Sequence, residues 1–347
     1  IGEFPLNDPE NSLYADNVID FAVAKGWYDP AAGKPFRFNE VYCPVTPQKI
    51  RYTATRVWSV FRRLAPSREF SPDYHRGVAG ADRYPLWIKP DQQVSLGDLM
   101  ALMRDHYEGT PYDMTKGIDA GPFGSPQRWR PMNWKVDGLD DDFTWERPIS
   151  TQQTGFSFVS QSRSGLPDAI GGVYWYGLDN TYTTCYIPFY CCSSTVPVPY
   201  RTGSLGAFSK DSAWWIFNLV SNFAELKWSY MVKDIVAVQA ELEQRFMKMQ
   251  TAVDQAAVTL YREDPVLAVQ YLDGYSSAQA TAVFTRWQEL SEMLICKYND
   301  GYVKNERGRP EEAGYPVEWL EAVHDARPEQ FKLPRWENEA METDLPF

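Results

Sequence analysis

Chemistry in this chain would have to come from a few clusters of side chains. His106 and Glu108 stand where an apolar helical pattern runs into a stretch crowded with Gly and Pro, and Asp113 follows. A carboxylate at Glu108 can pair with a ligand's ammonium group. His106 can hydrogen-bond a ligand or pin the loop, and Asp113 offers a second carboxylate with the same two uses. Ser150, Thr151, Gln152 and Gln153 run consecutively into a β-type sequence. Such a run can aim amide and hydroxyl groups into a cleft, or satisfy backbone groups of a sheet. The cysteines, Cys43, Cys185, Cys191, Cys192 and Cys296, are irregularly spaced without a CxxC pair, and the only histidines are His75, His106 and His324. That pattern argues against a structural zinc site. No cysteine has a helix N-terminus or basic cluster evident beside it in sequence, so none reads as an activated nucleophile. There is no GxSxG elbow, P-loop or dinucleotide glycine motif, and no cofactor or metal is implied.

The elements that must hold these residues are legible from periodicity and punctuation. Helices are expected over 14–25, stopped by Gly26, and over 47–63, where Ile50, Ala54, Val57, Trp58 and Phe61 recur at helical spacing. Ser95 caps a helix expected over 96–107, with Asp98 in the capping-box position. The glycines and prolines from Gly109 to Pro126 predict a long ordered loop. β-Rich runs at 154–161, 172–176 and 183–189 predict neighbouring antiparallel strands. Residues 213–298 read as helical, broken at Asp264-Pro265, and 299–334 as an irregular surface stretch. The chain thus divides into a helix- and loop-rich region (1–148), strands (149–200) and a helical region (213–298), all within one domain over 1–334. An acidic tail follows at 335–347.

Lys and Arg number 34 against 46 Asp and Glu, a formal charge of −12. That sign disfavours nucleic acid and anionic membrane surfaces as partners. No run of about 18 apolar residues is long enough to span a bilayer. Aromatic residues make up 15%, enough to fill a large core and to leave rings over for ligand contact. The start, Ile1-Gly-Glu-Phe-Pro, reads as a cut through a longer chain, and the compartment, cytoplasmic or exported, stays open. A homo-oligomer is compatible with all of this.

Several blocks carry a more specific resemblance. They are Phe4-Pro-Leu-Asn-Asp-Pro-Glu-Asn11, Arg56-Val-Trp-Ser-Val-Phe-Arg-Arg63, Pro85-Leu-Trp-Ile-Lys-Pro-Asp91, Met100 to Lys116 with Ala120-Gly-Pro-Phe-Gly124, Ile149 to Phe158, and Asp211-Ser-Ala-Trp-Trp-Ile-Phe-Asn218. In this order they resemble the dipeptidase A-type cysteine peptidases, a family of N-terminal-nucleophile hydrolases. The resemblance implies an α+β fold, the αββα sandwich of two stacked antiparallel sheets with helices outside, of which this chain is the C-terminal part. It implies hydrolysis of dipeptides by an N-terminal Cys, whose thiolate attacks while its α-amine moves the proton. Residue 1 here is Ile, which has no attacking atom. The nucleophile, part of the first sheet and an oxyanion-hole asparagine are therefore expected upstream, in a segment that partners this one, and this portion alone is expected to be inactive.

The resemblance also assigns roles. Arg56, in Thr55-Arg56-Val57, resembles an arginine that lies beside the nucleophile in bile-salt hydrolase and penicillin acylase relatives. Its charge could lower the thiol pKa or take a substrate carboxylate, and the rival role is a salt bridge, which suits Arg62 and Arg63 better. Glu108 would take the ammonium of a short peptide substrate, with His106, Gln152 and Gln153 near it. Two other readings remain: an amide hydrolase of the bile-salt or penicillin acylase type, and a non-catalytic carbohydrate- or peptide-binding protein. The last predicts exposed, coplanar rings among Trp134, Trp145, Trp175, Trp214 and Trp215.

Overall fold

Local chemistry sets most element boundaries in the computed structural model, which describes residues 12–333 together with Asp8 and Glu10. Helix α1 spans Val18–Ala24, shorter than expected, and stops ahead of Gly26, whose φ of 69° a side chain would resist. After α2 (Phe38–Tyr42), helix α3 spans Pro47–Leu64. Thr46 caps it, accepting a 3.2 Å hydrogen bond from the Lys49 amide, and Pro47 opens it with a pre-set φ. Its buried side carries Ala54, Thr55, Trp58 and Ser59. Helix α4 (Asp73–Arg76) packs against α3.

Helix α5 (Leu96–Met103) opens with the expected capping box, Ser95 and Asp98 bonding each other's backbone amides. It ends four residues earlier than its sequence pattern predicts. The His106 amide donates to the Glu108 carboxylate at 2.8 Å instead of to the helix, and Tyr107 takes a left-handed φ of 67°. The following loop is ordered by its polar groups. Asp113 accepts from the Gly109 and Thr115 amides and the Thr115 hydroxyl. The buried Arg128 donates to the carbonyls of Met114, Ser125 and Gln127. Gly124 is required here: a Cβ would sit 2.9 Å from the Thr115 carbonyl oxygen. Strands β1 (Asn133–Trp134) and β2 (Phe143–Thr144) form a short hairpin beyond it.

The main sheet is an antiparallel meander of β3 (Phe156–Ser162), β4 (Gly172–Leu178) and β5 (Ile187–Tyr190), with the single-turn helix α6 (Asp168–Gly171) between the first two strands. The expected third strand begins four residues late, because Thr181–Thr183 form a turn closed by Asn180 and the Tyr186 amide donates to Glu243 rather than to a strand. Register pairs Val159 with Trp175 and Trp175 with Pro188, so these lie on one face together with Val173 and Tyr190. Helices α7 (Ala213–Ala224), α8 (Trp228–Glu263) and α9 (Pro265–Tyr298) cover that face. The latter two form a long hairpin turned at Asp264, which caps α9 by accepting from the Val266 amide at 2.9 Å. Trp175, Trp287, Tyr190, Phe217 and Phe246 are fully buried between sheet and hairpin, with the Phe217 and Trp287 rings stacked at 4.8 Å. Each such burial contributes on the order of 2–3 kcal/mol.

The opposite face of the sheet is open among the described residues. Phe156 and Phe158 are 55% and 45% exposed, and Phe158 stacks on Tyr174, which stacks on Tyr176. The fold is α+β, and one layer of sheet with its helices lies in the described residues. The region after 299 is more regular than expected. It holds the hairpin β6 (Val303–Lys304) and β7 (Pro310–Glu311), then helix α10 (Val317–Ala326). The acidic tail at 335–347 and most of the Phe4–Asn11 block lie outside the described residues. No described helix is long and apolar enough to cross a membrane.

Candidate active site

Helix α3 is the spine of the site. Tyr52, Arg56, Ser59 and Arg63 follow one another at spacings of four, three and four, so they share one flank. Arg56 is half-buried, and its Nε donates to the Tyr52 carbonyl at 2.7 Å. Burial lowers its pKa; the neighbouring Tyr107 raises it and the charge of Arg147 lowers it again. The guanidinium stays protonated throughout the physiological range.

One turn further, the Ser59 hydroxyl donates to Asp105 Oδ2 at 2.6 Å. Arg63 meets Asp105 Oδ1 at 3.1 Å and Arg62 meets it at 3.6 Å. Both arginines thus form the salt bridges expected of them. Asp105 is buried, so its two cationic partners and the hydroxyl compensate for its lost hydration. Tyr107, wholly buried two residues on, donates from its hydroxyl to the Arg147 carbonyl at 2.6 Å. That bond joins the end of α5 to the segment leading into the main sheet.

His106 and Glu108 act on each other. Glu108 accepts from the His106 amide at 2.8 Å and lies 3.3 Å from His106 Nδ1. Burial alone would raise the Glu108 carboxyl, but the His106 hydrogen bonds and charge bring it below its ordinary value. Glu108 is therefore an anion at neutral pH. The His106 ring is buried, 4.9 Å from Tyr182. Glu108, 39% exposed, borders a cleft of about 420 Å3 with Arg62, Arg104, Tyr182 and Gln239. Arg104 is held there by Glu243.

Gln152 and Gln153 lie beside Arg147, whose carbonyl Tyr107 holds. With Arg147, Glu146 and Thr151 they line a crevice of about 10 Å3, room for one water at most. The Gln152 amide nitrogen donates to the Arg128 carbonyl at 2.8 Å, and Gln153 Oε1 accepts from the Thr151 hydroxyl at 3.1 Å. Glu146 pairs with Arg76 through Oε1, while its Oε2 is buried with no hydrogen-bond partner among the described residues. The structure thus sets Arg56 and Arg147 both against Tyr52, places the glutamines beside Arg147, and puts Glu108 at a separate cleft with His106 buried next to it. Asp113 belongs to its own loop.

Arg147, Tyr107 and Asp105 escaped the sequence reading. Tyr107 and Asp105 lie inside the Met100–Lys116 block, which is the signal that could have found them. Among the cysteines, burial pushes the Cys185 and Cys192 thiols up. Cys43 departs from expectation: its sulfur is 3.9 Å from the Lys49 ammonium, just ahead of the start of α3. The described residues hold no group of three or more His, Cys, Asp and Glu suited to a metal ion. Among the described residues, the five tryptophans singled out form no coplanar exposed platform: Trp134 and Trp145 are half-buried and tilted by 35°. Trp175 is buried, and Trp214 and Trp215 meet edge-on at 80° with their indole nitrogens bonded to backbone carbonyls.

Comparison with known proteins gives the same direction. The sequence model of "Peptidase family C69" matches residues 1–241. A "Probable dipeptidase" of Salmonella dublin is 28% identical over 184 residues, 53% of this chain and 36% of that protein. A "Probable dipeptidase" of Latilactobacillus sakei is 23% identical over 297 residues, 86% of this chain and 54% of that protein. "Dipeptidase A" of Lactobacillus helveticus is 22% identical over 246 residues, 71% of this chain and 44% of that protein. The chain therefore spans about half, or less, of the length of these relatives. With a matching model across more than half its length, the chain belongs to peptidase family C69.

Proposed function

We propose that the parent polypeptide is a dipeptidase whose nucleophile is an N-terminal Cys in sequence outside these 347 residues. The observation that carries this reading is Arg56: a half-buried guanidinium on the spine of the site, with no carboxylate in ion-pair distance among the described residues. Relatives named as dipeptidases are 22–23% identical over 71–86% of this chain. In the proposed reaction the thiolate adds to the scissile carbonyl and the nucleophile's own α-amine takes the thiol proton. The amine then returns it to the leaving nitrogen, and water hydrolyses the acyl-enzyme. Arg56 supplies positive charge beside the thiolate or the substrate, Glu108 takes the substrate ammonium, and His106, Gln152 and Gln153 keep the flanking chain in place. The open aromatic face of the main sheet supports a partner layer supplied by the rest of the polypeptide.

Hydrolysis of Leu-Leu-type dipeptides and of bile-salt or penicillin-type acyl amides by the purified full polypeptide separates this reading from the acylase alternative. Turnover of dipeptides is expected, and turnover of the acyl amides alone would overturn the reading.

A further inference from the structure

Among the half-buried arginines, three have no ion pair to a described carboxylate, Arg51, Arg56 and Arg147, and the last two meet at Tyr52. Arg62 and Arg63 share Asp105, Arg76 meets Glu146 and Arg104 meets Glu243. Among the described residues no carboxylate lies within ion-pair distance of Arg56 or Arg147. Both are anchored on the same residue. Arg56 Nε donates to the Tyr52 carbonyl, and the Arg147 guanidinium carbon lies 5.9 Å from the centre of the Tyr52 ring. Tyr52 is itself fixed by a 2.6 Å hydrogen bond between its hydroxyl and that of Thr144. The Arg147 backbone is held by the Tyr107 hydroxyl. The two cations lie close enough for Arg147 to lower the Arg56 pKa. Two guanidiniums on rigid supports, partly stripped of water and repelling each other, gain from an anion that accepts hydrogen bonds from both.

We propose that Arg56 and Arg147 together hold the free α-carboxylate of the dipeptide, Arg147 being the residue that makes this carboxylate a requirement. The inference rests on the dipeptidase reading above. A peptide extended at its C-terminus carries its carboxylate away from the pair, so the pair selects for length as well as charge.

The test compares wild type, Arg147→Met and Arg147→Lys, in the full polypeptide, on Leu-Leu and on Leu-Leu amide, which lacks the carboxylate. A charged hydrogen bond of this kind corresponds to a roughly 30-fold preference in kcat/KM. Wild type is expected to favour the acid by that order. Arg147→Met is expected to lose the preference through KM, and Arg147→Lys to retain part of it. An unchanged preference in Arg147→Met would overturn the inference, as would an equal loss on both substrates. A lowered thermal midpoint with the preference intact would place a protein carboxylate there instead. A wild type that cleaves acid and amide alike would overturn this inference and leave the dipeptidase reading standing, whereas one that cleaves neither would remove both.

Discussion

The buried Tyr107 hydroxyl donates a 2.6 Å hydrogen bond to the Arg147 carbonyl, linking two segments 40 residues apart. Tyr107 holds a left-handed backbone that tyrosine ordinarily avoids, at φ 67°. The bond is therefore central to how the loop after α5 meets the segment before the main sheet. Tyr107→Phe keeps the ring and leaves the Arg147 carbonyl without its donor. We expect a loss of about 1–2 kcal/mol in urea unfolding of the full polypeptide. An unchanged midpoint would show that water or a neighbour replaces the hydroxyl at no cost.

Asp105 ties α3 to the end of α5 through Ser59, Arg62 and Arg63. Asp105→Asn removes the charge that both arginines share but keeps a hydrogen-bonding side chain of the same shape. Because the carboxylate is buried while the arginines are about a quarter to a third exposed, we expect a cost of about 2–4 kcal/mol, short of the full penalty for a wholly buried pair. A loss below about 0.5 kcal/mol would contradict this account of how α3 is positioned.

Asp179 sets a pH dependence. It follows β4 at φ 60°, is 1% exposed, accepts from Asn218 Nδ2 at 2.9 Å and leaves Oδ2 without a hydrogen-bond partner among the described residues. Burial pushes its carboxyl up to about 6, and burial with the charge of Asp179 pushes Glu225 up to about 7. The unfolded carboxyl titrates near ~4, so the folded protein holds the extra proton between about 4 and 6. Stability therefore falls as pH rises through that window, because the native state must release a proton from a site that disfavours the anion. Asp179→Asn keeps the acceptor for Asn218 and suits the left-handed backbone. It is expected to match wild type at pH 4 and exceed it by about 1–3 kcal/mol at pH 8. Thermal midpoints across that range check this, and parallel curves for the two proteins would contradict it.

The parts of the fold that were legible beforehand are those fixed by neighbours in sequence. Pro47 opened α3, Ser95 with Asp98 opened α5, and Asp264-Pro265 turned the long hairpin, each through a proline or a cap read from neighbouring residues. Two of the parts missed depend on distant chain. Helix α5 ended early because Asp105 and Glu108 have better partners than the helix offers, including Ser59, 46 positions away. Arg147 joined the site only because Tyr52 and Tyr107 hold it, and neither contact has a local sequence signature. Cys43 and Lys49 met because the chain turns between α2 and α3, which no periodicity reports. Helix α10 was hidden by the charge and Gly content around it.

The location of the nucleophile is the point on which the proposed dipeptidase reading stands. Mass-spectrometric mapping of the residue that iodoacetamide labels in the active full polypeptide, followed against residual Leu-Leu hydrolysis, tests it most directly. The account predicts that inactivation tracks labelling of an N-terminal cysteine outside residues 1–347. Inactivation that tracks Cys43, or any other cysteine of this chain, would contradict it.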